Sequence, residues 1–207
     1  MIHIATRRSQ AAAVAMVAAI ALASASQPAN ATAAPRSAAA PWSAVAPAST
    51  GAPWATPMGT PTGTSLTTQE TAIANAVLNL LNSERKSAGL APLRMNASLV
   101  RGAHAHDLTM AKYNTLSHQL PGEAVFSTRI TSAGYRCSSA GENVGWNGDR
   151  SQNGAIALEK MMFNETAPNN GHRLNILSRT FKDVGIDILL DSRTGKLWMT
   201  QDLASPR

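Results

Sequence analysis

The stretch at residues 184–201, VGIDILLDSRTGKLWMTQ, has a two-residue apolar period and decides the fold class. Val184, Ile186 and Ile188 alternate with the residues between them. A cluster of turn-forming residues follows at 192–195, and a second alternating run comes after it. Two alternating runs joined by a short turn-rich segment predict an antiparallel β-hairpin.

The segments before this hairpin carry the three- to four-residue apolar period of amphipathic helices. The first begins at Thr67, ahead of Glu70, and Gly89 supplies its stop signal. We predict helices over residues 67–89, 96–113, 121–134 and 151–162. Helices that precede a terminal hairpin, without regular alternation of strand and helix, predict an α+β fold with helices packed on an antiparallel sheet.

Residues 27–66 differ in composition from everything that follows them. They are almost wholly Ala, Pro, Ser, Thr and Gly, and their only aromatic side chains are Trp42 and Trp54. Such a segment cannot bury enough apolar surface to offset the entropy that is lost on ordering. We therefore predict a disordered linker here, followed by one folded domain over residues 67–207.

The N-terminal stretch, residues 1–26, carries the features of a secretory signal peptide. Arg7 and Arg8 precede an apolar run over residues 11–22, and small residues suited to cleavage follow it. As a helix this run would extend only about 18 Å, against roughly 30 Å for the hydrocarbon core of a membrane. We expect a cleaved leader, no stable transmembrane anchor after cleavage, and a protein of the extracellular space or cell envelope.

Cysteine content and charge exclude several classes of protein. The single cysteine, Cys137, cannot form an intrachain disulfide or complete a cysteine-based zinc finger. Lys and Arg number 18 against 12 Asp and Glu, but the stretch 1–66 contains basic residues and no acid, so the domain itself is only mildly basic. No basic run is interleaved with aromatic residues. Nucleic acid is therefore not expected as a partner.

Common active-site motifs are missing, but some polar residues stand in positions that packing does not explain. The sequence has no nucleophile elbow, no H-E-x-x-H motif and no glycine-rich phosphate loop. The candidates are His118 in LSH, Glu142 in GENV, Glu165 in MFNE and His172 in GHRLNIL. Two imidazoles and two carboxylates form a sensible nitrogen and oxygen ligand set for zinc or a similar divalent ion.

Each candidate also has a purely structural interpretation. Glu142 could accept backbone N–H bonds in a turn, His118 could bond to loop carbonyls, and His172 could cap the turn at 173–177. Residues of these types dispersed over 55 positions are not diagnostic of a metal site by themselves. Spacing alone leaves both interpretations open.

Two other polar groups compete for the same role. Glu159 lies about one and a half turns or more before Glu165, so a helix would point it to another face. His104 and His106 are separated by about 200° on a helix, so they cannot ligate one ion from one face. We expect one of these histidines at the surface and the other buried beside Met110.

The order and wording of these motifs resemble the CAP superfamily, also called the SCP domain, which includes cysteine-rich secretory proteins, antigen five and plant pathogenesis-related proteins. The most specific stretch is 171–177, GHRLNIL, and the G-E-N at 141–143 comes next; both are typical of the bacterial branch. The opening helix agrees through Leu81, Asn82, Arg85, Gly89 and Leu90. The resemblance covers about residues 67–203.

This resemblance implies a three-layer α-β-α sandwich and a cleft in which two His and two Glu can hold a divalent metal, zinc first among the candidates. Carried over position by position, the metal residues are His118, Glu142, Glu165 and His172. We interpret the protein as a secreted binding module for an extracellular ligand, which is a lipid, a peptide or a cell-wall polymer. The alternatives are a metal-dependent hydrolase acting on peptide, lipid or cell-wall material, and a purely structural or adhesive protein.

Overall fold

The computed structural model describes residues 18–21 and 66–207. Most of the predicted signal peptide (1–26) and nearly all of the predicted disordered linker (27–66) lie outside these described residues. Both segments therefore stay predictions, as does the domain boundary near Thr67.

Helices and strands alternate irregularly along the described part of the chain. The helices are α1 (Thr68–Ser87), α2 (Ala97–Tyr113), α3 (Phe126–Ser132), α4 (Gln152–Phe163) and α5 (Gly171–Ile176). The strands are β1 (Ala18–Ala21), β2 (Arg94–Met95), β3 (Cys137–Asn147), β4 (Asp183–Asp191) and β5 (Lys196–Pro206). None of these helices combines the length and the apolar character that a membrane crossing requires.

The strands join into one sheet in the order β1-β3-β5-β4-β2. Every pair in it is antiparallel except the one between the two-residue β2 and β4. β4 and β5 form the predicted hairpin, which closes at the pair Asp191 and Lys196. Gly195 in its turn takes a left-handed φ of 71°, which suits glycine. The predicted hairpin is confirmed.

A capping box fixes the start of α1 and also ties the helix to the sheet. Thr67 Oγ1 accepts from the backbone N–H of Glu70 at 3.2 Å, and the Glu70 carboxylate accepts from the backbone N–H of Thr67 at 2.9 Å. The other oxygen of Glu70 accepts from the backbone N–H of Leu190 in β4 at 2.9 Å. The first predicted helix is confirmed, and one carboxylate serves both its cap and its docking.

Two predicted local structures were wrong. The third helix begins at Phe126, whereas residues 121–122 form a turn in which Gly122 has a φ of 78°, outside the right-handed helical region. The segment after Gly171 was expected as a turn but forms the short helix α5. Both errors arise from glycine signals that are equally typical of turns and of helix ends.

Helices cover both faces of the sheet. On one face, α1 and α4 enclose the larger apolar core with β4 and β5, and its fully buried members include Val77, Leu81, Met162, Ile186 and Met199. On the other face, α2 and α3 pack over two smaller clusters, which include Leu99, Met110, Ile130, Val144 and Trp198. The predicted three-layer α-β-α arrangement is confirmed.

The contact between α2 and β4 depends on a residue without a side chain. A Cβ on Gly185 would lie 2.2 Å from the backbone carbon of Leu99 and 2.3 Å from the backbone nitrogen of Val100. These atoms belong to the helix backbone and cannot rotate away. Gly185 therefore sets how closely α2, the helix that carries His106, approaches the sheet.

We predict that Gly185→Ala lowers the free energy of unfolding by on the order of 3 kcal/mol, because α2 must shift off β4. Chemical denaturation monitored by circular dichroism measures this. Gly148→Ala is the matched control, since a Cβ there meets no atom within 4 Å. It should change the stability by no more than about 0.5 kcal/mol. Equal effects of the two substitutions would contradict the close packing of α2 on β4.

Candidate functional site

Glu142 lies in the middle of β3 with its side chain in the protein interior. Its Cα partners are Asp202 on β5 and Ile20 on β1. The residue is only 1% exposed. Because side chains alternate along a strand, Glu142 and Val144 point to the face that α2 and α3 cover. β3 begins at Cys137, so Glu142 lies within the strand and not at its end.

Two groups meet the two oxygens of the Glu142 carboxylate. His118 Nδ1 lies 2.8 Å from Oε1, and Arg129 Nη2 donates to Oε2 at 2.8 Å. The same Arg129 nitrogen donates to the backbone carbonyl of His118 at 3.0 Å. One guanidinium on α3 thus holds both the carboxylate and the loop that carries His118.

These contacts keep Glu142 ionised. Burial acts to raise its pKa, but the hydrogen bond from His118 and the charges of His106 and Arg129 outweigh burial, so the pKa lies below its usual value. An ionised carboxylate only accepts hydrogen bonds, so His118 donates through Nδ1–H. Asp202, directly opposite on β5, behaves differently. Burial and the charge of Glu142 raise its pKa well above the usual value, so it stays protonated.

A second carboxylate and a second histidine lie behind this group. His106 Nδ1 lies 2.7 Å from Glu123 Oε1, and His106 Nε2 lies 3.9 Å from Glu142 Oε1. Arg129 Nε lies 3.8 Å from Glu123 Oε1. The side chains of His106, Glu123 and Arg129 are all less than a tenth exposed. They form a buried charged support for Glu142.

No motif or spacing in the sequence singles out Glu123 or Arg129. Their contacts join segments that are distant in the chain, and no periodicity encodes them. One signal was available: Arg129 lies next to Ile130 on the apolar stripe of a predicted helix. A charged residue on a buried stripe requires a partner, and that partner is Glu142.

The other two candidates form a second histidine and carboxylate pair. Glu165 lies just after the end of α4, and His172 is the second residue of α5. The Glu165 carboxylate contacts His172 Nδ1 through Oε1 and accepts from the His172 backbone N–H through Oε2 at 3.0 Å. His172 is 1% exposed. Glu165 thus fixes both the ring and the backbone of His172.

Asparagine side chains connect the second pair to β3. Asn175 Nδ2 donates to the Glu142 carbonyl at 3.2 Å and to Asn143 Oδ1 at 2.8 Å. Asn143 Nδ2 lies 3.4 Å from the His172 carbonyl. A Cβ on Gly141 would lie 2.7 Å from Asn175 Oδ1, so the glycine allows α5 to approach β3. The structure therefore brings both pairs to the same short stretch of β3.

The hydrogen bonds within the two pairs favour metal binding by the two imidazoles alone over direct binding by all four side chains. Both oxygens of Glu142 and both oxygens of Glu165 already accept hydrogen bonds. In residues 18–21 and 66–207, no three His, Cys, Asp or Glu side chains are arranged to hold one metal ion. A neutral imidazole that donates through Nδ1 presents a lone pair on Nε2, and carboxylates often orient metal-binding histidines in this way. The ligand roles of His118, Glu142, Glu165 and His172 stay predictions.

The competing polar cluster on α2 has structural contacts. His104 Nδ1 lies 3.1 Å from Asp187 Oδ1, and Asp107 accepts from Thr200 Oγ1 at 2.6 Å. The His104 side chain is only 16% exposed. His106 is the buried histidine that we expected. The other histidine, His104, was expected at the surface, and this expectation was wrong. The two rings have different carboxylate partners, Asp187 and Glu123.

Comparison with known proteins decides the family. The sequence profile of CAP, the Cysteine-rich secretory protein family, matches residues 78–203. The chain belongs to the CAP family. The matched range contains all four candidate residues, and the resemblance found in the sequence is confirmed.

Relatives of this CAP domain occur in bacteria. Uncharacterized protein YkwD of Bacillus subtilis (strain 168) is 29% identical over 131 residues, which are 63% of this chain and 47% of YkwD. The chain thus spans about half the length of that relative. An extracellular protein containing a SCP domain from Bacillus anthracis str. Ames has a crystal structure that matches with a TM-score of 0.56 and 22% identity, over 69% of this chain and 45% of that one.

A more distant structure shares the fold of the CAP domain. The crystal structure of NaASP2 with Zn²⁺ matches with a TM-score of 0.50 and 13% identity, over 67% of this chain and 82% of that chain. At this identity the similarity shows the fold alone.

Glu159, the competing carboxylate on α4, belongs to a buried network on the other face of the CAP sheet. It is fully buried, and the charge of Glu84 on α1 acts on it. Gln201 Nε2 donates to Glu159, and Gln201 Oε1 accepts from Asn143 Nδ2 at 3.0 Å. Burial and the charge of Glu84 raise the pKa of Glu159 well above its usual value. Burial raises the pKa of Glu84 to about 7.

The raised pKa of Glu84 predicts that the stability this residue contributes to the CAP domain is lost as the pH rises from about 4.5 to about 7. An acid whose pKa is higher in the folded chain binds its proton more tightly there, so its stabilisation is complete below the unfolded pKa and is lost through the folded pKa. Glu84→Gln should reduce this loss by about 3 kcal/mol at most. Urea midpoints at several pH values measure it. The exposed Asp149→Asn is the control, and an unchanged slope in Glu84→Gln would refute the assignment.

We predict that Arg129→Met lowers the stability of the CAP domain by about 3–5 kcal/mol, because the buried Glu142 carboxylate loses its cation. Adding Glu142→Gln should recover part of this loss, since the amide needs no counter-charge. Arg101→Met is the control, because Arg101 is exposed and bonds only to Ser98 and Ala133 among the described residues. Thermal melts measure all of these variants. A loss no larger than that of Arg101→Met would contradict the role of Arg129.

Proposed function

We propose that the chain is an extracellular CAP binding domain whose two histidine and carboxylate pairs form a cleft for a ligand and a divalent ion, zinc first among the candidates. The observation that carries the proposal is that each imidazole is fixed through Nδ1 by a carboxylate, next to the same stretch of β3. Side chains oriented in this way lose little freedom when they bind a ligand.

The chemistry of the pairs favours a metal held by imidazoles. With Nδ1–H donated to Glu142 or Glu165, the lone pair of each neutral ring is on Nε2, the usual zinc ligand. The carboxylates then act as orienting groups behind the ligands. A bound zinc ion supplies a positive charge that attracts carbonyl or anionic oxygens of a ligand. Two histidines are fewer protein ligands than structural zinc sites have, so we expect weak and reversible binding.

Binding is better supported than hydrolysis. A general base must be able to take a proton from a reacting group within hydrogen-bond reach. Each of Glu142 and Glu165 is engaged at both oxygens, and the pKa of Glu142 is lowered. A carboxylate held in this way is a poor proton acceptor. The metal-dependent hydrolase therefore stays the alternative.

An extracellular location is supported by independent features. The predicted leader over residues 1–26 indicates export, and the predicted linker would separate the domain from its surroundings. The Bacillus anthracis protein that shares the fold is described as extracellular. NaASP2, another protein with this fold, has been crystallised with Zn²⁺. These similarities support the proposal without identifying a ligand.

Calorimetric titration of the full chain with zinc chloride tests the metal. We expect heat of binding at pH 7.5, and its loss in His118→Ala and in His172→Ala. At pH 5.5 binding should weaken, because metal ligation needs deprotonated imidazole nitrogens and protons compete with the ion for them. His104→Gln is the matched control, since His104 also contacts a carboxylate through Nδ1 but lies in the α2 cluster. It should bind zinc like the unmodified chain.

Two results would overturn the metal proposal. One is the absence of heat in the unmodified chain at pH 7.5. The other is zinc binding that both alanine substitutions leave unchanged. Circular dichroism of each variant shows whether the fold is intact, so that a loss of binding is not confused with unfolding.

A further inference from the structure

The two edges of the antiparallel sheet differ in length and protection. At one edge β2 has only two residues. At the other, β3 has eleven residues, and its outer side is paired only with the four residues of β1 in the described part of the chain. An exposed strand edge presents unpaired N–H and C=O groups that can pair with another chain.

Within residues 141–147, the outer side of β3 has few of the features that usually prevent pairing with another strand, and its one inward-pointing charge, that of Glu142, is neutralised by Arg129. Residues 141–147, GENVGWN, contain no proline and no lysine. The register irregularity lies between Cys137 and Ser139, away from this stretch. Glu142 is the only charged residue within it, and its side chain points inward to Arg129. The edge is therefore competent to accept an extended backbone.

The chain itself demonstrates this pairing. Ala18, Ala19, Ile20 and Ala21 pair antiparallel with Val144, Asn143, Glu142 and Gly141, respectively. α5, which carries His172, lies alongside β1. A backbone in this position runs past Glu142 and Asn143, where the two histidine and carboxylate pairs meet β3. The pairing position and the candidate cleft are thus contiguous.

The segment that fills the position belongs to the predicted leader. Residues 18–21 lie within the signal peptide predicted over residues 1–26. Removal of the leader would take away β1 and its pairing with residues 141–144 of β3, while Asn175 Nδ2 would still donate to the Glu142 carbonyl. Backbone pairing supplies affinity in strand addition, while side chains at alternate positions supply specificity.

We infer that the outer edge of β3 at residues 141–144 is a peptide-binding site, which takes an extended peptide of small apolar residues in antiparallel register. In the unprocessed chain, residues 18–21 fill it; after removal of the leader, a peptide segment of a partner protein does. The inference rests on the proposed binding function and identifies the class of ligand for the same cleft.

Amide hydrogen exchange measured by NMR on the full chain tests the pairing. In an antiparallel strand, alternate N–H groups point to opposite neighbours, so two of the four amides at 141–144 face β1 and two face β5. Ala19→Pro and Ile20→Pro each remove one backbone N–H of β1. Because the N–H groups of adjacent strand residues point to opposite sides, only one of these two N–H groups faces β3. In that variant, we expect exchange at the amides facing β1 to accelerate at least about tenfold. The amides facing β5 should stay protected and serve as an internal control.

A synthetic peptide tests the ligand class. The nine-residue peptide of residues 16–24, MVAAIALAS, with lysines added at its ends for solubility, should restore protection to the affected variant. The same peptide with proline in place of Ile20 should not restore it. Ala12→Pro, outside β1, is the control for the chain and should exchange like the unmodified protein.

Three results would overturn the inference. The first is unchanged exchange at 141–144 in both proline variants. The second is failure of the peptide to restore protection. The third is protection of the amides at 141–144 in a proline variant without added peptide, if this protection rises with protein concentration. In that case a second copy of the chain would be the occupant. Zinc titration of the same variants separates the two proposals. Peptide binding without zinc binding would contradict only the metal proposal. Zinc binding without peptide binding would contradict only the peptide-binding inference.

Discussion

The Glu142 carboxylate in the middle of β3 remains ionised in the protein interior because Arg129 and His118 bond to its two oxygens. An unpaired charge in that position would cost several kcal/mol. Three segments must therefore be in place together: the strand that carries the acid, the helix that carries the arginine and the loop that carries the histidine. The candidate cleft thus forms as part of folding and is not added to a finished scaffold.

The two faces of the sheet satisfy their polar groups in different ways. The face toward α2 and α3 centres on a charge pair, in which ionised Glu142 meets a guanidinium, with Asp202 of raised pKa beside it. On the face toward α1 and α4, the buried acids Glu84 and Glu159 have raised pKa values, which favour their neutral forms. Asn143 joins the second network to β3 through Gln201. Ionic chemistry and neutral hydrogen bonding meet at neighbouring residues of one strand.

Much of the fold could be predicted because its signals are local. The capping box at Thr67 and the alternation at Val184 to Ile188 depend on neighbours in the chain, and both predictions were confirmed. Residue spacing could not pair His118 with Glu142, since 24 positions separate them. The motif resemblance pointed to both residues. Arg129 was missed because its importance lies entirely in a partner on another element.

The position of β5 in the sheet has a consequence for how the chain folds. β5 lies between β3 and β4 and pairs with both, although it follows both in sequence. The centre of the sheet is therefore completed only when its latest strand is available, and its pairing with β3 closes a long loop. Until then β3 and β4 have no common neighbour. The sheet of such a chain therefore stays incomplete until β5 has been synthesised.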